Sequence, residues 1–158
     1  MVPKMLSAET RGRIDQLIRK YPRPRSALIP ALKLAQAETG HLSDAVVEEL
    51  SGIFDLPPNE ILAVASFYTM LFKKPVGKHV IWVCTNISCL LCNSDAIMKH
   101  LEEKLGIRPG ETTSDRRFTL FEAECLASCG TAPAAQIDDD YYEDLTPEKL
   151  DRILDSLD

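Results

Sequence analysis

No stretch of this chain is long and apolar enough to cross a membrane. The best run, Ile61 to Phe72, is interrupted by Ser66 and Thr69 and falls well short of the roughly 18–20 apolar residues a spanning helix needs. The first residues carry Lys4, Glu9, Arg11 and Arg13 and no apolar signal core, which argues against secretion. Without an oxidising compartment, stable disulfides are not expected. Basic residues are not in excess: 18 Lys and Arg stand against 24 Asp and Glu, a net charge of −6, so a phosphate-tracking surface is not expected and nucleic acid is not a predicted partner. The acidic balance reads as solubility. No serine–histidine–acid arrangement, Walker pattern or glycine-rich phosphate loop is present, and Gly106 and Gly110 are isolated. Internal repeats and low-complexity tracts are also missing. The predicted setting is cytoplasmic.

What remains is a chain of 158 residues, 45% hydrophobic and 27% charged, enough to bury one core or a core with a helical appendage. Residues 1–74 read as a helical region. Ile14, Leu17, Ile18 and Tyr21 recur at helical spacing behind caps at Ser7 or Thr10, and Pro22 and Pro24 end that helix. A second is capped by Ser26, carries Leu28, Leu32 and Ala35 on one face, and closes at Gly40. Ser43 caps a third bearing Val46, Val47 and Leu50. The fourth starts at Pro57 and Pro58 and bears a stripe of Ile61, Val64, Ala65, Tyr68 and Leu71, read as core packing.

Residues 73–78, with Pro75 and Gly77, read as a linker. The periodicity then changes. HVIWVC, His79 to Cys84, reads as a buried strand, followed by a helix with Ile97, Leu101 and Leu105 that is capped by Asn93 or Ser94 and closed by Gly106. Phe118 to Ala123 is a second strand. Ala134 to Ile137 and Tyr141–Tyr142 form a hairpin around the acidic turn Asp138 to Asp140. Thr146-Pro147-Glu148 opens a last helix with Ile153, Leu154 and Leu157 on its buried face. A small sheet with helices packed on it would bury these faces.

Five cysteines carry the chemistry. Cys84 and Cys89 enclose four residues, Cys125 and Cys129 three, and each pair follows a strand. Strand ends hold loops in fixed positions, so the two remote pairs can converge. Three chemistries compete: a [2Fe–2S] cluster on four thiolates, a structural zinc on the same four, and dithiol redox chemistry, for which only Cys89 and Cys92 have the spacing. Cys92 reads as a bystander that packs as a small hydrophobe, with substitution for Cys89 as the minor alternative. His41, His79 and His100 are scattered and read as solvated or structural.

The surrounding runs add to this. VASFYTMLFKKPVGKHVIWVCTNISC (Val64 to Cys89), ECLASCGTAP (Glu124 to Pro133), DDDYYEDLTPEKL (Asp138 to Leu150) and ETGHL (Glu38 to Leu42) together resemble the 24-kDa-type [2Fe–2S] subunits of respiratory complex I, the NADH–quinone oxidoreductase. The resemblance spans nearly the whole chain. It implies an α+β fold: an N-terminal helical bundle, then a thioredoxin-like small mixed sheet with flanking helices, the ferredoxin domain, over residues 75–158. It implies Cys84, Cys89, Cys125 and Cys129 as ligands of one [2Fe–2S] cluster, each loop's pair on one iron, with Cys92 outside the set. It also implies a partner flavoprotein that carries FMN and the NADH site, the whole peripheral to the inner membrane without insertion. The helices would serve as docking surface as well as core. Related subunits occur in NAD-linked hydrogenases and formate dehydrogenases; a zinc-stabilised interaction module is the alternative of another class. Nearby carboxylates, Glu122, Glu124 and the Asp138–Asp140 run, predict a low reduction potential. By analogy with thioredoxin-like folds, a cis peptide is expected at Ala132–Pro133.

Overall fold

Helix starts are set by their caps. In the computed structural model, which describes residues 5–157 (Lys4, counted above, lies outside them), the Ser7 hydroxyl accepts from the Thr10 N–H and opens α1, Ala8–Ile18. Ser43 does the same for Val46 and opens α3, Asp44–Phe54. Between them runs α2, Leu28–Thr39, closed by Gly40 in the left-handed region at φ 81°, and after them α4, Pro58–Phe67, entered through its proline. The two serine caps satisfy amides that the helices cannot pair internally, and the Gly40 N–H satisfies the Gln36 carbonyl.

Two expectations fail here. Ser26 does not cap α2: Pro24–Ala27 winds into a 3₁₀ turn that leads straight into the helix, whose first cap is Ala27 with no side-chain bond. Tyr21 lies past the end of α1 and is exposed, because the helix stops at Ile18 ahead of the two prolines.

The chain divides into two compact units, Met1–Pro75 and Val76–Asp158. The first has its own core, in which Ile14, Leu32, Leu42, Val46, Leu50 and Ile61 are fully buried. The Gln36 side chain ties the segment after α4 back to α2, donating to the Met70 carbonyl at 2.9 Å and accepting from the Phe72 N–H at 2.6 Å. Arg11 pairs with Glu49 and Arg25 with Glu60 across the helices.

The second unit is built on a four-stranded mixed sheet in the order β2-β1-β3-β4. The strands are β1 His79–Cys84, β2 Phe118–Ala123, β3 Ala135–Ile137 and β4 Asp140–Tyr142. β1 and β2 are parallel, in a register that sets Cys84 opposite Ala123; β3 is antiparallel to β1 and to β4. The crossover from β1 to β2 contains a short helix, α5, Ile87–Leu91, and then α6, Ser94–Leu105. The last helix is α7, Pro147–Ser156, capped by the Thr146 hydroxyl on the Lys149 N–H. Ile81, Val83 and Ile137 of the sheet bury against Ile97 and Leu101 of α6 and Leu150 and Leu154 of α7. On the sheet, Trp82 and Phe121 stack with ring centroids 4.4 Å apart. This is the expected small mixed sheet with flanking helices. Gly77 enters it where only glycine fits: a Cβ there would meet the Phe118 backbone at 2.7 Å. No helix among the described residues is long and apolar enough to cross a membrane.

Candidate metal centre

The parallel pair β1–β2 determines where the cysteines go. Both strands end at the same edge of the sheet, so Cys84 and the segment after Ala123 emerge side by side. Hydrogen bonds then stitch the two loops together. Thr85 N–H donates to the Ala123 carbonyl at 2.9 Å, and the Asn86 side-chain amide to the Glu124 carbonyl at 2.8 Å. On its other side Cys84 N–H donates to the Ala134 carbonyl at 3.1 Å, which brings in the chain just after the second cysteine pair.

Asn86 has a second task. Its Oδ1 accepts from the Ile87 N–H at 2.9 Å and starts α5. Cys89 therefore sits on a short helix rather than in an open loop, since an asparagine cap ahead of Ile-Ser-Cys-Leu-Leu is enough to turn the chain. That asparagine is the signal in the sequence that could have found the helix. Cys89 is 1% and Cys84 2% exposed, packed with Ala134, Leu126 and Ala132. Ile87, Leu90 and Leu91 of the same helix point outward, 68%, 52% and 80% exposed.

The second pair is held differently. Cys125 lies in the loop after β2, where Ala127, at φ 60°, donates its N–H to the Cys125 Sγ at 3.3 Å. Cys129 begins a 3₁₀ turn, Cys129–Thr131. The Ala132–Pro133 bond that follows is cis, as expected. Both Cys125 and Cys129 are exposed.

The two pairs interact: Cys84 with Cys89 and Cys125, and Cys89 with Cys129. Burial opposes ionisation of Cys84, yet its pKa is lowered, because the backbone N–H groups of Asn86 and Leu126 and the Cys89 and Cys125 thiols all favour its thiolate. Cys89 moves the other way. Burial raises its pKa, and the adjacent Cys84 and Cys129 raise it further against the Ala134 N–H. The environment thus favours the thiolate at Cys84 and disfavours it at Cys89. The two loops are within reach of each other through both cysteines of the first pair. Cys92 is left out: it caps the end of α5 and is exposed, not packed as a small hydrophobe.

Among the described residues no three His, Cys, Asp or Glu side chains are grouped to hold a single metal ion. Paired, converging thiols with amides directed at their sulfurs fit the [2Fe–2S] donor set.

Two of the three histidines, His79 and His100, are held in structural contacts. His79 Nδ1 bonds the Asp138 carboxylate at 2.7 Å, and His100 Nε2 bonds Asp151 at 2.8 Å. The first contact corrects an electrostatic expectation. β3 runs antiparallel to β1, so Asp138 sits beside Val80, four residues and about 13 Å along the strand from Cys84. The Asp138–Asp140 turn lies at the far end of the sheet, and salt screens most of its effect on the thiols. Glu143, which no sequence motif singles out, is the carboxylate bonded into the second cysteine loop, through the Thr131 hydroxyl at 2.6 Å.

A sequence model of the thioredoxin-like [2Fe–2S] ferredoxin family matches residues 14–158. The chain is 49% identical over 146 residues to an NADH-quinone oxidoreductase subunit of Rickettsia bellii, covering 90% of this chain and 87% of that protein. It is 44% identical over 146 residues to an NADH-quinone oxidoreductase subunit of Rhizobium meliloti, covering 92% and 87%. Among solved structures, an air-oxidised NAD+-reducing [NiFe]-hydrogenase is similar with a TM-score of 0.73 and 30% identity, covering 81% of this chain and 22% of that one.

Proposed function

Because this chain belongs to the thioredoxin-like [2Fe–2S] ferredoxin family, we propose that it is the electron-transfer subunit of an NADH–quinone oxidoreductase. In this reading Cys84, Cys89, Cys125 and Cys129 hold one [2Fe–2S] cluster, each loop's pair on one iron. A partner flavoprotein carries FMN and the NADH site, and this chain exchanges one electron with that flavin. The observation that carries the reading is the convergence of two thiol pairs from the ends of two parallel strands. The relatives at 44–49% identity, matched over 87% of their length, supply the setting.

One-electron storage is what such a cluster provides when bound. The chain's own residues supply the rest. Amides of Asn86, Leu126, Ala127 and Ala134 reach the cysteine sulfurs and stabilise added negative charge there. Burial of Cys84 and Cys89 keeps water off one side, while exposure of Cys125 and Cys129 leaves the other open to a partner. The apolar face of Ile87, Leu90 and Leu91 beside it suits contact with a protein surface better than with solvent.

Anaerobically purified chain is expected to be brown, to bind two irons with two labile sulfides, and to give a reduced-state EPR signal. Serine at Cys84 or Cys129 shifts or abolishes that signal. A colourless protein with one tightly held zinc would overturn the reading. The similar hydrogenase favours a second setting, the equivalent subunit of an NAD-linked hydrogenase. A pull-down from native extract separates the two, since a flavoprotein comes with quinone-reductase subunits in the first and with hydrogenase subunits in the second.

A further inference from the structure

The turn that bears Cys129 has little regular structure to hold it. It lies between β2 and β3, and within it Thr131 N–H donates to the Ser128 carbonyl at 3.2 Å. Its fixings come from the segment ahead of α7. Asp144 N–H donates to the Thr131 carbonyl at 2.8 Å, and Leu145 N–H to the Pro133 carbonyl at 3.1 Å. Between them the Thr131 hydroxyl donates to Glu143 Oε1 at 2.6 Å. That is the short range of a hydroxyl bonded to an ionised carboxylate.

Glu143 is itself anchored. Its main-chain carbonyl accepts from Lys149 Nζ at 2.5 Å, and Lys149 sits in the first turn of α7 under the Thr146 cap. Bonds from Thr131 and then Ser128 hold the Glu143 carboxyl below its ordinary pKa, with the Lys149 charge adding to them, so it stays ionised at neutral pH. Ser128 and Thr131 bracket the turn: the first directly precedes Cys129, the second ends it. Helix α7 is thus connected through Glu143, by its main-chain carbonyl on one side and its carboxylate on the other, to the turn that presents an exposed cysteine.

We propose that Glu143 is a positioning residue for the metal centre, holding the Cys129 turn in its ligating conformation through the Thr131 hydroxyl. The inference rests on the reading of Cys129 as a cluster ligand. Glu143 touches no cysteine. It acts on the freedom of the turn, and so on how long Cys129 stays bonded. Its side chain is half-exposed, so truncating it opens no core cavity and the effect stays local.

The test uses the full cluster-loaded chain with three variants: Glu143→Ala, Thr131→Val and Glu143→Gln. Readouts are the rate of iron release to a strong chelator, the EPR spectrum of the reduced protein, and the melting of the metal-free chain. E143A and T131V remove the bond from either side and are expected to release iron roughly tenfold faster, the scale of outer-shell effects on metal sites, with a broadened EPR signal and unchanged metal-free melting. E143Q keeps an acceptor for Thr131 and is expected to restore the wild-type release rate. Wild-type release and spectra in both E143A and T131V would overturn the inference, and so would E143Q releasing iron as fast as E143A, which would mean that charge and not the bond matters. If E143A does not fold, T131V decides alone. A wild-type chain that binds no iron would sink the cluster reading itself and this inference with it, an outcome separate from a loaded wild type matched by its variants.

Discussion

Cys89 is buried and Cys92, three residues further along the same short helix, lies on the surface. Residues three apart would share a helix face, but α5 ends at Leu91 and Cys92 is its C-cap, with the backbone out of helical geometry at φ −98° and ψ 24°. Serine at Cys92 is therefore expected to leave visible absorption and EPR unchanged, and loss of the signal in that variant would mean that it serves as a ligand. A second single-residue prediction concerns Gly77. Its N–H donates to the Thr119 hydroxyl at 2.6 Å, and a Cβ would strike the backbone of Phe118 rather than a side chain that could move aside. Gly77→Ala is expected to lower stability by about 1–3 kcal/mol, measured by urea unfolding.

At the scale of elements, α6 and α7 are joined on their outer faces by Asp151, which takes Lys104 Nζ at 2.9 Å and His100 Nε2 at 2.8 Å. Lys104 and then His100 hold the Asp151 carboxyl below its ordinary pKa. A depressed carboxylate contributes stability above its unfolded-state pKa and loses it as pH falls through the folded value. The melting difference between wild type and Asp151→Asn should accordingly be present at neutral pH and close in acid, below the usual carboxylate range. The group is exposed, so the difference is small. Removing the cap of α7 has a larger effect. Thr146→Ala costs about 1 kcal/mol, and through Lys149 and Glu143 it also loosens the Cys129 turn. Faster iron loss in that variant, measured alongside its melting, checks the link.

For the whole molecule, charge decides the electrochemistry. A net charge of −6, with Glu122 and Glu124 at and just after the end of β2, opposes an added electron. The amides on the sulfurs reduce that opposition without reversing its sign. A low midpoint potential is expected from redox titration of the loaded chain. A value well above that of ordinary ferredoxins would contradict the assignment.

Local chemistry was enough for much of this protein. The limits of β1 and β2, the caps at Ser7, Ser43 and Thr146, and the stop at Gly40 follow from short-range rules of hydrogen bonding and side-chain shape, so they can be read from neighbouring residues. So can the two thiol pairs. The start of α2 could not: Ser26 has the chemistry of a cap, but the prolines before it set a 3₁₀ turn that absorbs it. Other features depend on which strands pair and in what direction. Parallel pairing of β1 with β2 brings the cysteines together, and antiparallel pairing of β3 carries the Asp138 turn away from them. The bond from Thr131 to Glu143 spans 12 residues and exists only once β3, β4 and α7 have closed around the turn. Sequence by itself determined the candidate donor atoms, because identity and spacing are local. Only the tertiary structure decided which charges and which amides surround them, because that depends on register.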